Sequence, residues 1–164
     1  MKTLIFSVCI FALFFDVGNS RKIGKKLGPT DNTENYNTCL EEHQMSDDDI
    51  YTINDIIHDR HKKPENEEKA KKNACIIQCL LEKAELMEGS EYNIEKMREV
   101  YIARSNIQST EDQLYKDFEN CLNESKDMTD KCEKSFALTE CILKAEDKVS
   151  PHSAESHEEN EHAE

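Results

Sequence analysis

Six cysteines, Cys39, Cys75, Cys79, Cys121, Cys132 and Cys141, constrain this chain more than any other feature. A seventh, Cys9, sits in an N-terminal stretch with the marks of a secretory signal. Met1–Ser20 opens on Lys2, continues through the apolar block Leu4–Phe15, and ends on the small residues Gly18 and Ser20. That is the layout of a cleaved leader, and the block is too short for a membrane anchor, which needs about 20 apolar residues. The expected mature chain begins at Arg21 and is secreted, where disulfides persist. The remaining cysteines therefore read as a disulfide framework.

Helix geometry limits the framework. Cys75 and Cys79 are four apart and lie about 40° from each other on one helix face, poorly aimed at each other. Cys132 and Cys141 are nine apart and point to opposite sides of a helix, so they take different partners. Excluding both intra-helix links leaves ten of the fifteen connectivities open to six cysteines.

The rest of the composition favours helices. After Gly28 the only glycine is Gly89, and Glu, Lys, Leu and Ala are plentiful. Six helices are expected. The first spans about Glu34–His43. A second starts at Ser46, with Asp47–Asp49 in its first turn and Ile50, Ile53 and Ile57 along one face. A third follows Pro64 and turns apolar through Ala74, Ile76, Ile77, Leu80 and Leu81, with Gly89 and Ser90 ending it. A fourth carries Ile94, Met97 and Tyr101. A fifth opens on the capping pair Thr110 and Gln113 and presents Leu114, Phe118, Cys121 and Leu122. The sixth runs from about Thr129 or Asp130 to Glu146. Its apolar residues Phe136, Ala137, Leu138, Cys141, Ile142 and Leu143 cover most of the circumference, which predicts a central helix. The expected organisation is a leader at 1–20, one binding domain at 21–149, and an acidic, histidine-containing disordered tail at 150–164.

Charge excludes some functions. The net charge of −14 repels phosphate backbones and anionic lipid, so no nucleic-acid partner and no membrane insertion are expected. No Gly-x-Ser-x-Gly elbow, His-Glu-x-x-His zinc motif or glycine-rich calcium loop is present, so the chain is not expected to be an enzyme or to need a cofactor. His152, His157 and His162 recur every five residues in the tail, a spacing that a helix would scatter. They are weak metal candidates beside the simpler reading of a solvated tail. His43, His58 and His61 lie in polar stretches and are expected to be exposed. One glycosylation sequon, Asn123-Glu124-Ser125, falls near a helix end.

The spacing Cys39-x35-Cys75-x3-Cys79-x41-Cys121-x10-Cys132-x8-Cys141 resembles that of the insect odorant-binding proteins, secreted six-helix carriers of hydrophobic semiochemicals. The stretches YNTCLEEHQMSDDDIYTI, CIIQCLLEK, EKMREVYI and DMTDKCEKS resemble in particular the pheromone-binding proteins of ants, known from fire ants. This likeness implies an all-α, compact six-helix fold with three disulfides around an apolar cavity. It implies the pairing Cys39–Cys79, Cys75–Cys132 and Cys121–Cys141. It further implies a small hydrophobic ligand (an odorant or pheromone), with a homodimer and a chemosensory receptor as further partners. The residues expected to line the pocket are Ile53, Ile57, Ile77, Leu81, Met97, Tyr101, Phe118 and Phe136, with the Tyr101 hydroxyl holding a ligand's polar end. The competing expectation is a secreted signalling or venom-type helical protein whose core is filled. The tail is too polar to fold into such a pocket, because insertion would bury its charges.

Overall fold

The computed structural model describes residues 22–23, 33–105, 107–109 and 111–149. The expected leader, the C-terminal tail and Thr110 lie outside the described residues. Six α-helices are present among them: α1 (Thr33–Glu42), α2 (Ile53–Ile57), α3 (Glu67–Lys83), α4 (Ile94–Ser105), α5 (Gln113–Ser125) and α6 (Lys131–Val149). Three disulfides link Cys39 to Cys79, Cys75 to Cys132 and Cys121 to Cys141, the pairing that the resemblance implies. They tie α1 to α3, α3 to α6 and α5 to α6. The central pair is α3 and α6, with α5 packed on α6, α1 on α3, and α2 on α6. No helix among the described residues is long and apolar enough to cross a membrane.

The second expected helix is not continuous. Ser46 caps a single 3-10 turn, Asp47–Asp49, through a reciprocal box with Asp49. The backbone then extends at Ile50, and Thr52 starts α2 through a second box with Asp55. Each of the two capping boxes, six residues apart, satisfies the orphan N–H donors of its own helix start, which makes the interruption between them tolerable. Asn73 holds the break in place. Its side chain accepts from the Tyr51 N–H at 3.0 Å and donates to the Asp49 carbonyl at 3.0 Å and the Lys69 carbonyl at 2.9 Å.

Helix α3 ends at Lys83, before Gly89. Glu85 takes up a left-handed conformation (φ 57°), and the Leu86 N–H returns to the Leu81 carbonyl at 2.8 Å. This is the helix-ending bond of a glycine cap made by a glutamate. Gly89, with φ +60°, and Ser90 instead form the turn of a hairpin between β1 (Met87–Glu88) and β2 (Glu91–Tyr92). Helix α5 begins at Gln113, capped by the Asp112 side chain accepting from the Leu114 N–H at 2.9 Å, rather than at Thr110. Ile94, expected on the apolar face of α4, is 42 % exposed.

Helix α6 is central, but the residues it buries differ from those expected. Phe136, Ala137 and Cys141 are half-buried, while Lys134, Ser135 and Thr139 are buried. The hydroxyls of Ser135 and Thr139 donate one turn back, to the Lys131 and Ser135 carbonyls. The Lys134 ammonium, on a residue only 2 % exposed, donates to the Ser90 and Lys126 carbonyls at 2.6 and 2.8 Å and lies over the Tyr92 ring. Carbonyl oxygens and a π face replace its water, which is how a buried ammonium stays tolerable. It fastens the hairpin to α6.

Candidate functional site

An apolar cavity of about 50 Å³ lies under α4, enclosed by α3, α5 and α6. Four of the eight expected pocket residues meet there: Leu81, Met97, Tyr101 and Phe118. The sequence reading missed Leu86, Val100, Leu138 and Ile142, which complete its apolar lining. Val100 lies one turn from Met97, and Leu138 and Ile142 share one face of α6, so helical spacing carried the signal. Ile53 and Ile77 are core residues that do not line this cavity, and Ile57 packs half-buried at the core's edge. The short, separate α2 packs on α6 elsewhere, which carries Ile53 and Ile57 away. Phe136 faces a different groove.

Tyr101 and Phe118 stack directly on each other in the cavity wall, with ring centroids 4.2 Å apart and planes at 10°. The Tyr101 hydroxyl is buried and makes no hydrogen bond. Burial, with the Glu146 carboxylate nearby, pushes it up to about 12, against a smaller opposing pull from Ser105 and Arg104. It therefore stays protonated, with the Ser105 side chain as a polar neighbour but no hydrogen bond of good geometry, and a buried hydroxyl left so costs about 1–3 kcal/mol. The other polar groups of the lining are engaged. Thr139 donates to Ser135, and Arg104 pairs with Glu146 at 2.6 Å while lying over the Tyr101 ring. The cavity thus offers apolar contact and one orphaned hydroxyl.

The walls are held unequally. Helices α1, α3, α5 and α6 are cross-linked, whereas α4 carries no cysteine. Two arginines on α4 hold it: Arg98, bidentate to Glu119 of α5 at 2.7 Å for both bonds, and Arg104 to Glu146 of α6. Arg98 is 42 % exposed, so its pair is screened by water and weaker than a covalent brace.

A second concavity, a groove of about 560 Å³, runs between α3, α6 and the segment His61–Pro64. Its floor is made by Ala70, Ala74, Phe136, Ala137 and Met128. His61, expected to be exposed, is only 5 % exposed; His43 is half-buried and His58 exposed. The His61 ring is wedged edge-on against Phe136 at 5.2 Å and Tyr51 at 6.2 Å. Beside it, Asp59 and Glu140 complete a set of three groups with metal-ligand chemistry, their atoms within 4.8 Å of one another. Two lysines already neutralise this set: Lys62 reaches Asp59 at 2.9 Å and Glu140 at 2.6 Å, and Lys144 reaches them at 2.6 and 2.8 Å. Hydrogen bonds from Lys144 and Lys62 hold the Asp59 carboxyl well below its usual range. Burial raises Glu140, but the same two lysines outweigh it and leave a net depression. The geometry is that of a latch fastening residues 59–62 to α6. The tail histidines His152, His157 and His162 lie outside the described residues.

Comparison with known proteins places this geometry. The model of the PBP/GOBP family matches residues 30–145. Pheromone-binding protein Gp-9 of Solenopsis globularia littoralis is 45 % identical over 149 residues, covering 91 % of this chain and 94 % of the relative. The proteins of the same name from Solenopsis richteri and Solenopsis xyloni are 43 % and 42 % identical over 146 residues, covering 89 % of this chain and 94 % of each relative. No solved structure matches at a significant level.

Proposed function

The chain belongs to the PBP/GOBP family, and from that premise we propose that it is a secreted carrier of small hydrophobic semiochemicals, odorants or pheromones, through aqueous lymph. It acts by binding, without catalysis. The observation that carries this reading is the buried Tyr101 hydroxyl, without a hydrogen bond of good geometry, in a mostly apolar cavity braced by three disulfides. Burying a ligand's apolar surface gives roughly 25 cal/mol per Å², and the hydroxyl orients an oxygen-bearing end. The names of the relatives, pheromone-binding proteins, support the same ligand class and speak against a signalling protein with a filled core.

At about 50 Å³ the cavity is below the size that holds even a benzene-sized guest, for which an engineered cavity of about 150 Å³ suffices. Ligand entry therefore moves a wall. The wall with least restraint is α4, which has no disulfide and swings out once the Arg98 and Arg104 pairs open. Met97 on that helix reshapes around the guest, having three rotatable bonds and no branching.

The test is displacement of the fluorescent probe N-phenyl-1-naphthylamine from the purified protein by a panel of long-chain alcohols, esters and ketones. Saturable probe uptake with displacement is expected. No uptake, or no displacement by any member of the panel, refutes the carrier reading. Removal of Ser150–Glu164 is expected to leave probe affinity unchanged, and a several-fold loss would show that the tail enters the pocket. Self-association into a homodimer and delivery to a chemosensory receptor belong to the same proposal. Sedimentation of the purified protein tests the first.

A further inference from the structure

His61 is another buried group whose ring nitrogens make no hydrogen bond. Its Nε2 lies 3.4 Å from Glu140 Oε2 without the geometry of a hydrogen bond, and its Nδ1 has no partner. Buried side-chain polar atoms nearly always find a partner, so an exception on the wall of a groove asks what completes it. We propose that the groove between α3, α6 and His61–Pro64 is a second ligand site, separate from the cavity under α4. It takes an uncharged amphipathic molecule, an alkyl body with one hydrogen-bonding oxygen.

Three observations select this occupant. At about 560 Å³ the groove falls within the roughly 300–1,000 Å³ of small-molecule pockets, so it takes the ligand's body as it stands, and only the covered His61 nitrogens must be exposed by a small shift. Its floor of alanines, Phe136 and Met128 has no hydrogen-bonding side chain to offer, so the body of the ligand is apolar. Charge then decides the head. Lys62 is held by Asp59 and Glu140, and Lys71 by Glu67 at 2.8 Å. Lys63 makes no ion pair among the described residues, but the Glu133 carboxylate on the same groove offsets it. With the lining balanced and the whole protein at −14, a carboxylate head meets net repulsion while a hydroxyl or carbonyl does not. The imidazole, held edge-on between Tyr51 and Phe136, supplies the hydrogen bond.

The inference shares with the carrier reading only the apolar character of the ligand. The experiment is a titration of full-length protein, labelled on histidine nitrogens and on aromatic ring carbons, with 1-decanol and, separately, with decanoate, followed by NMR. Decanol is expected to shift the His61 ring nitrogens and the Phe136 ring saturably. His61→Leu should weaken the event at Phe136 about tenfold, the equivalent of one hydrogen bond. Ala70→Phe fills the groove while keeping the His61 side chain and should abolish the event, leaving any response at Tyr101 and Phe118 intact. Decanoate should bind several-fold more weakly than decanol. Unmoved His61 and Phe136 signals, full binding in Ala70→Phe, or tighter binding of decanoate would each overturn the proposal. The two readings separate cleanly. Response at Tyr101 and Phe118 alone sinks the second site and keeps the core carrier, and response at Phe136 alone does the reverse.

Discussion

The cavity under α4 and the groove beside His61 are built from the two sides of one helix, and they are held in different ways. Under α4, Leu138 and Ile142 of α6 face Tyr101 and Phe118 in a small, mostly apolar space whose one charged lining residue, Arg104, is paired with Glu146. Beside His61, Phe136, Ala137 and Glu140 of the same helix face lysines and water in a space about ten times larger. The cavity is framed by cross-linked helices and closed by the single wall that is not cross-linked. The groove is closed at one end by ion pairs from Asp59 and Glu140 to Lys62 and Lys144, with the His61 ring packed on Phe136 and Tyr51. Covalent bracing preserves a void against collapse, while charge latching leaves a surface that responds to its solution.

The largest effect is one that both sites should feel. Cys75–Cys132 ties α3 to α6, which are walls of both, and it spans 57 residues. In the chain-entropy account a link of that span contributes about 4 kcal/mol, a large share of the about 5–15 kcal/mol that a domain commands. The Cys75→Ser, Cys132→Ser double variant is expected to melt far earlier in a thermal scan and to lose probe and decanol binding together. If it kept one site and lost the other, the shared frame would not be what holds them.

A single core truncation should separate the two. Leu138 is buried on the cavity side of α6, so Leu138→Ala is expected to cost about 3 kcal/mol through lost contact and an enlarged void. Denaturant unfolding measures that loss. The larger void should nonetheless admit N-phenyl-1-naphthylamine more readily, while decanol shifts at Phe136 stay as they were. A stability loss with weaker probe binding would mean that the cavity is packing imperfection, not a ligand site.

Why the sequence revealed one site better than the other follows from where the signals live. The cysteine intervals and the apolar positions Leu81, Met97, Tyr101 and Phe118 are periodic, and periodicity is a property of sequence. On α6 the apolar residues run all round, so spacing alone could not tell Leu138 from Phe136. The positions of α3 and α5 decide which faces the cavity. The two halves of the expected second helix hid behind one acidic run, although both capping pairs, Ser46 with Asp49 and Thr52 with Asp55, can be read in it. Helix ends were harder. Gln44 and Glu85 adopt left-handed conformations where a glycine would have announced the stop. The burial of His61 and Lys134 left no trace in their polar neighbours, because Phe136, Tyr51 and Tyr92 cover them from distant parts of the chain.

Titration should pull the two regions apart at opposite ends of the pH scale. Asp59 and Glu140 have depressed values in the folded protein, so their contribution is present above the ordinary carboxylate range and is lost as pH falls through the folded values. Tyr101 is raised, so its contribution is complete below about pH 10 and is lost as pH rises toward about 12. Acidification well below the ordinary carboxylate range should therefore release residues 59–62 first, seen as faster amide exchange at Lys62 and a moved His61 ring, with Tyr101 and Phe118 unchanged. Tyrosinate absorbance should appear only above pH 10. Simultaneous loss of both regions in acid would show that the latch is part of the global fold.

The smallest change tests the one polar group of the cavity lining that makes no hydrogen bond or ion pair. Tyr101→Phe removes a hydroxyl that has no hydrogen bond to lose, and it keeps the ring that stacks on Phe118. Because an unpartnered buried hydroxyl is itself unfavourable, stability should stay level or rise by up to about 1 kcal/mol, the opposite sign from most core substitutions. Ligands should then sort by chemistry: displacement of the probe by alcohols and ketones weakens several-fold, while displacement by a hydrocarbon of equal length does not. The groove, whose hydrogen bond comes from His61, should bind decanol as before. A variant that loses stability would reveal a bond to the Tyr101 hydroxyl in the unliganded protein. One that binds alcohols and hydrocarbons as the native chain does would leave the cavity with apolar contact alone, and no means of choosing among guests except by shape.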